Sequence, residues 1–182
     1  MGMAAPIYWT REMVLALPED GNRYETVHGE LLVSPAPRPL HELVVVRLIA
    51  KLEEYLRRPE PVGQVFARGD ISWADDTLVQ PDAFVVPIAE ARTMSWAAMR
   101  SLLLVVEVLS PSSLRADRFT KRRLYQEVRI PAYWIVDADA RSVEVWTPDV
   151  RFPAVEIEQL TWQPVNAVTP LEIKLADLFR TL

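Results

Sequence analysis

The sequence predicts an α/β fold, a mixed sheet flanked by helices. Three observations carry this. Leu102 to Val106 is a continuous apolar run that ends in a carboxylate, Glu107, and reads as a strand buried on both faces. Ala132 to Val136 reads as a second buried strand, and a helical pattern from about Arg115 to Val128 lies between the two, stopped by Ile130-Pro131. A strand–helix–strand unit needs a crossover and gives parallel pairing. Ser142 to Trp146 then alternates cleanly, as an outer strand does.

The remaining elements follow in order. Thr10 is placed to cap a short helix opening at Arg11-Glu12. Pro18 to Gly21 is a turn. Arg23 to Val27 and Glu30 to Val33 flank His28-Gly29 as a tight hairpin. Ser34 to Pro39 is an extended Pro-rich linker. It leads into a helix from about Leu40 to Arg57, whose Leu43, Val46, Leu48, Leu52 and Leu56 give a broad apolar face. Val62 to Ala67 and Asp70 to Trp73 read as strands joined by a Gly turn, with Asp75-Asp76 turning next. Val79 to Val86 reads as a strand that carries Pro81 and Asp82 near its start. Ala89 to Met99 is helical or irregular. Phe152 to Leu160 and Leu171 to Leu175 are short strands, Thr161 to Pro170 is turn-rich, and Ala176 to Thr181 is a last helical turn.

At 182 residues the chain reads as one domain, 1–182, large enough for a full core. It has no apolar run long enough to span a bilayer and no basic, apolar secretion signal in MGMAAPIYWT. Without Cys it has neither a disulfide framework nor a thiolate site. A cytoplasmic location fits all of this. The net charge of −5 argues against unspecific coating of nucleic acid. Leu114 to Ile130 nevertheless holds Arg115, Arg118, Lys121, Arg122, Arg123 and Arg129 against Asp117 and Glu127, so basic residues crowd beside Glu107.

Candidates for chemistry are few. There is no G-x-S-x-G, no phosphate-cradling glycine loop and no H-E-x-x-H. What remains is carboxylates at strand ends. Asp82 opens one buried strand and Glu107 closes another, so antiparallel neighbours would bring both to one spot. Two carboxylates there repel, and a divalent cation removes the problem. Oxygen ligands suit Mg²⁺ or Mn²⁺ better than zinc. Asp117, Lys121 and Tyr125 follow at i, i+4, i+8 along one helix face. Metal, carboxylates and a lysine together point to phosphodiester hydrolysis. Plainer roles stand beside these: Asp82 as a turn carboxylate, Glu107 paired with Arg115 or Arg118, Asp117–Lys121 as a solvated pair, His41 as a helix-start residue, Tyr125 as core and Glu30 as structural.

Pro81-Asp82 followed by Glu107-Val108-Leu109 resembles the PD-(D/E)XK motif of the restriction-endonuclease-like superfamily. More closely, the chain resembles a group of small bacterial endonucleases of Uma type within it, along most of its length. The matching pieces are Arg23-Tyr24-Glu25 with Gly29-Glu30-Leu31, the Pro-rich linker with His41, Gln80-Pro81-Asp82, Glu107 to Ser112, Asp117 with Lys121 and Tyr125, and Tyr133 to Asp137. The resemblance implies a restriction-endonuclease-like core, with the helix and hairpin of about 10–34 added to it. It implies metal ligation by Asp82, Glu107 and the Val108 carbonyl. Lys121 would orient or activate water or stabilise the phosphate, with Tyr125 and Asp117 supporting it or Tyr125 contacting the phosphate, and with His41 and Glu30 as further residues of the catalytic site. The motif's lysine position holds Leu109, and the lysine role passes to Lys121. Arg118, Arg122 and Arg123 are candidates for nucleic-acid contact, DNA foremost, and a homodimer or higher homo-oligomer is implied. The competing expectation is an inactive descendant that binds nucleic acid or a protein partner through the basic helix.

Overall fold

The computed structural model describes residues 6–58 and 61–181. Its centre is a six-stranded mixed sheet in the order β3-β4-β5-β6-β7-β8. The strands are β3 (Gly63–Phe66), β4 (Ala83–Pro87), β5 (Leu104–Val108), β6 (Tyr133–Asp137), β7 (Ser142–Trp146) and β8 (Ala154–Glu156). β5 and β6 run parallel, as the crossover requires, and the other neighbours are antiparallel.

Period-2 alternation sorts the central strands onto two cores. Ala83 and Val85, Leu104, Val106 and Val108, and Trp134 and Val136 face one side. Phe84 and Val86, Val105, and Tyr133 and Ile135 face the other. The first core is closed by α2 (Pro39–Leu56), whose Val44, Val45, Leu48 and Leu52 are buried, and by the two-stranded sheet β9 (Gln159–Trp162) and β10 (Leu171–Lys174) with α5 (Leu175–Leu178). Pro39 at the start of α2 fits a position whose N–H has no helical partner. The second core is covered by the hairpin β1 (Arg23–Val27) and β2 (Glu30–Ser34) and by the crossover helix. In the hairpin turn His28 and Gly29 both have positive φ, 50° and 76°, the pattern of a two-residue turn matched to strand twist. α1 (Arg11–Leu15) is capped by Thr10, which accepts from the Met13 N–H. α3 (Ile88–Ala91) follows β4.

Three expectations are corrected. Asp70 to Trp73 is not a strand; only Ile71 bridges to Val79, because the chain leaves Arg68 with φ 42° and turns again after Ser72. Phe152 to Leu160 is not one strand. It breaks between Glu156 and Gln159, and its halves join different sheets. The crossover helix opens as a wide π-helical segment, Ala116–Lys121, before α4 (Arg122–Glu127) continues it. Among the described residues no helix is long and apolar enough to cross a membrane.

Leu48 is fully buried on α2 while Val46 on the same helix is 62% exposed. Leu48→Ala is expected to cost about 2–5 kcal/mol of unfolding free energy in denaturant titration, because the cavity it leaves only partly collapses. Val46→Ala should change stability by no more than about 0.5 kcal/mol.

Candidate active site

The site forms where β4 begins and β5 ends. Their antiparallel register pairs Ala83 with Val106, so Asp82, one residue before β4, lies beside the last residues of β5. The Val108 N–H donates to Asp82 Oδ2 at 2.9 Å and fixes that carboxylate across the strand gap. Extended by two residues, the same register sets Val108 opposite Pro81. Proline has no N–H to offer the Val108 carbonyl there.

Asp82 is buried, and its partners come from three further elements. His41, in the first turn of α2, stands with Nε2 3.0 Å from Oδ2. Arg23, on β1, donates to Oδ1 at 2.8 Å and to the Gln80 carbonyl at 3.1 Å. Burial pushes the Asp82 carboxyl up, but the His41 hydrogen bond and the Arg23 charge outweigh it and hold it well below the usual carboxylate range.

Glu107 sits within β5 on the face covered by the crossover helix, with no exposed surface. Its Oε1 accepts from Lys121 Nζ at 3.0 Å and from the Tyr125 hydroxyl at 3.2 Å. Its Oε2 is buried and has no hydrogen-bond donor. Burial raises the Glu107 carboxyl well above its ordinary value; Lys121 opposes this, and the nearby Asp117, Asp82 and Glu25 add to it.

Lys121 is buried among three carboxylates: Glu25 Oε2 at 2.8 Å, Glu107 Oε1 at 3.0 Å and Asp117 Oδ1 at 3.4 Å. Burial alone would lower its pKa, but Glu107, Glu25 and Asp117 outweigh that and keep the ammonium charged far above neutral pH. Asp117 is itself raised, by burial first. The i, i+4 pair survives the π-helical turn, but as a buried pair and not a solvated one. Tyr125 is buried, with its hydroxyl spent on Glu107.

Asp82, Glu107, Lys121, Asp117, Tyr125 and His41 are therefore brought together, and Val108 joins them through its N–H. Glu30 is not: it is exposed at the start of β2, beside His28 and Arg123 on the surface. Glu107 does not pair with Arg115 or Arg118. Arg118 binds Glu144 at 2.8 Å and lies 3.6 Å from Asp137. Arg122 is drawn to Gln126 and lies over the Trp146 ring at 4.8 Å. Of the three arginines proposed for nucleic acid, Arg123 alone is exposed, and Arg118 and Arg122 are partly buried.

Two residues of the cluster carry no site role in the sequence reading. Glu25 and Arg23 lie on one face of β1, two apart, while Tyr24 between them turns outward to Asp20. Glu25 Oε1 accepts the Gln80 N–H at 2.7 Å. The available signal was two charges at period 2 in a strand whose next residue on the same face, Val27, is apolar. Beside Asp82 opens a cavity of about 320 Å³, lined by Arg23, His41, Arg68, Gln80, Ser110, Ser113 and the Pro35 to Pro37 linker.

Comparison with known proteins bears on the fold and the family. A crystal structure described as "a putative nuclease belonging to DUF820", from Anabaena variabilis ATCC 29413, matches with a TM-score of 0.73 at 21% identity, covering 94% of this chain and 97% of that one. At that identity the likeness is one of fold. No curated protein matches the chain. The model of the Uma2 family, described as "Putative restriction endonuclease", matches residues 11–176. With nearly the whole chain matched, and with carboxylates and a lysine gathered at the β4–β5 junction, the protein belongs to the Uma2 family of restriction-endonuclease-like proteins.

Proposed function

We propose that the protein is a divalent-cation-dependent endonuclease that hydrolyses phosphodiester bonds of nucleic acid, DNA foremost. The observation that carries this reading is the buried Asp82–Glu107–Lys121 cluster, with one Glu107 oxygen left without a donor. Four carboxylates (Asp82, Glu107, Glu25, Asp117) face one ammonium and one guanidinium, a formal −2 with His41 neutral. A buried group of that charge fits a hard dication.

Among the described residues no three His, Asp or Glu side chains converge as a metal centre. A cation would rest on Glu107 Oε2, on Asp82 Oδ1, which accepts only Arg23 and keeps a second acceptor site, and on the Val108 carbonyl. Mg²⁺ or Mn²⁺ suits so few protein oxygens, because each keeps much of its water. When bound it supplies Lewis acidity toward the phosphoryl oxygen.

The chain's own residues do the rest. A lysine that stays charged cannot take a proton, so Lys121, buried against Glu25, Glu107 and Asp117, acts by holding Glu107 and by the field of its fixed positive charge. Tyr125 and Asp117 hold Glu107 and Lys121. His41 and the Val108 N–H hold Asp82. Arg23, paired with Asp82, and Arg68, paired with Glu42, line the cavity beside Asp82, and a phosphate there would share these guanidinium groups with their carboxylates. Hydrolysis adds one water across a P–O bond and leaves a phosphomonoester and a hydroxyl.

The testing experiment is calorimetric titration of Mn²⁺ into the parent and into Asp82→Ala/Glu107→Ala, followed by plasmid nicking in Mn²⁺. Binding and nicking in the parent, lost together in a variant that still melts cooperatively, is the expected outcome. A double variant that cleaves like the parent would end the idea. If nucleic acid binds without metal, falls off steeply with salt and is not cut, the inactive descendant is the better reading.

The raised Glu107 and lowered Asp82 also give opposite signs. Asp82 stabilises the fold above its ordinary pKa of 3.8, and that stabilisation is lost as pH falls through the lower folded value. Glu107 is the reverse: its contribution is present below the ordinary value of 4.5 and is lost as pH rises through the raised one. In metal-free buffer Glu107→Gln should therefore melt above the parent near pH 8, by roughly 2–4 °C. The margin should shrink toward pH 5. A variant that melts lower at both pH values would show that Glu107 is not electrostatically strained.

A further inference from the structure

We propose that Glu25, on β1 and outside the PD-(D/E)XK pattern, is a positioning residue for the cleavage reaction: it holds the Lys121 ammonium in place over Glu107. This rests on the nuclease reading above.

Lysine has a long, flexible stem and a compact charge, so its head goes where the surrounding anions put it. The three carboxylates around Lys121 come from three elements. Asp117 is on its own helical segment, one turn back, at 3.4 Å. Glu107 is the motif carboxylate on β5, at 3.0 Å. Glu25 comes from the hairpin and makes the shortest contact, 2.8 Å. Without Glu25 the ammonium is free to settle between Glu107 and Asp117, toward its own helix. With Glu25 it is fixed from a third direction.

The same carboxylate also reaches the other half of the site. Glu25 Oε1 accepts the Gln80 N–H at 2.7 Å, two residues before Asp82. One side chain, 1% exposed, thus ties the lysine and the turn that delivers Asp82 to a single strand. Both Glu25 oxygens are spent in this way, so Glu25 is no free metal ligand. Leu109 stands at the motif's lysine position and packs in the apolar core. A lysine arriving from the helix needs an external anchor, and the hairpin supplies it.

The two contacts can be separated. Glu25→Gln keeps an oxygen for the Gln80 N–H and removes the charge facing Lys121. The chain has three lysines, and Lys51 and Lys174 are exposed, so ¹³C-labelled lysine side chains give one immobilised set of ε signals, that of Lys121. In the parent, the two Lys121 ε protons should be inequivalent. In Glu25→Gln they should converge toward the averaged signals of Lys51 and Lys174. In plasmid cleavage with Mn²⁺, kcat should fall on the order of 10-fold while KM stays near the parent's, the pattern of an interaction made in the transition state. If Glu25→Gln fails to fold, Glu25→Asp, which keeps the charge but withdraws it by one methylene, should shift both readouts the same way.

Unchanged lysine signals, or a parental kcat in the presence of changed signals, overturns the positioning role while leaving the nuclease reading intact. Absence of cleavage in the parent itself overturns the nuclease reading, and the positioning role with it.

Discussion

The structure depends on keeping one ammonium charged where there is no water. Lys121 is 1% exposed, and transferring such a group from water costs several kcal/mol, roughly, unless partners replace its hydration. Three carboxylates do so here, and each is itself buried and would be costly alone. The lysine's charge is balanced only when the elements that carry them are assembled. The hairpin, the β5 strand and the crossover helix must therefore dock together, because leaving out any one strands a charge. Asp82, Arg23 and His41 repeat the logic on the other side of the β4–β5 junction. Stability and site geometry are thus one constraint: the layer that covers the second face of the sheet is positioned by charge as much as by its apolar contacts.

That layer also explains how a Leu can stand where the motif has its lysine. Glu107, on β5, and Leu109, one residue past its end, are two apart and share a face with Val105. The crossover helix lies over the same face, since Leu124 and Tyr125 pack into the same core. Moving the cation from the strand to the helix changes the side from which it approaches the carboxylate, not the place it reaches. The parallel β5–β6 connection makes this possible, because the crossover must return over the sheet close to the end of β5.

Much of this was legible in the residues. The buried strands betray themselves by continuous apolar runs, and a carboxylate inside one demands a partner. The meeting of Asp82 and Glu107 followed from assuming antiparallel neighbours, which the Ala83–Val106 register bears out. The π-helical opening was not legible: Asp117, Lys121 and Tyr125 fit an α-helical spacing equally well, and the wider turn depends on tertiary contacts. Asp70 to Trp73 looked like a strand because Ile71 and Trp73 alternate with polar residues. Local turns on both sides limit it to a single bridge.

Glu25 and Glu30 show most clearly where sequence reasoning stops. Both belong to the hairpin, both fall in family-like stretches, and nothing in their chemistry separates them. The turn decides. With His28 and Gly29 as the two turn residues, Val27 pairs with Glu30 and Glu25 with Leu32. A two-residue turn fixes which face each strand residue occupies, and a slip of one would invert them all. In this register Glu25, Val27 and Glu30 share one face, and Glu30 differs in standing at the exposed tip beside the turn, while Glu25 lies a full strand period back where the hairpin meets the sheet. The face of β1 that meets the sheet then holds Arg23 and Glu25 at one strand period, each within reach of a different motif carboxylate or its lysine. A hairpin that only covered apolar surface would have no need of a buried carboxylate and a partly buried guanidinium on that face. Their presence is explained if the hairpin is part of the site.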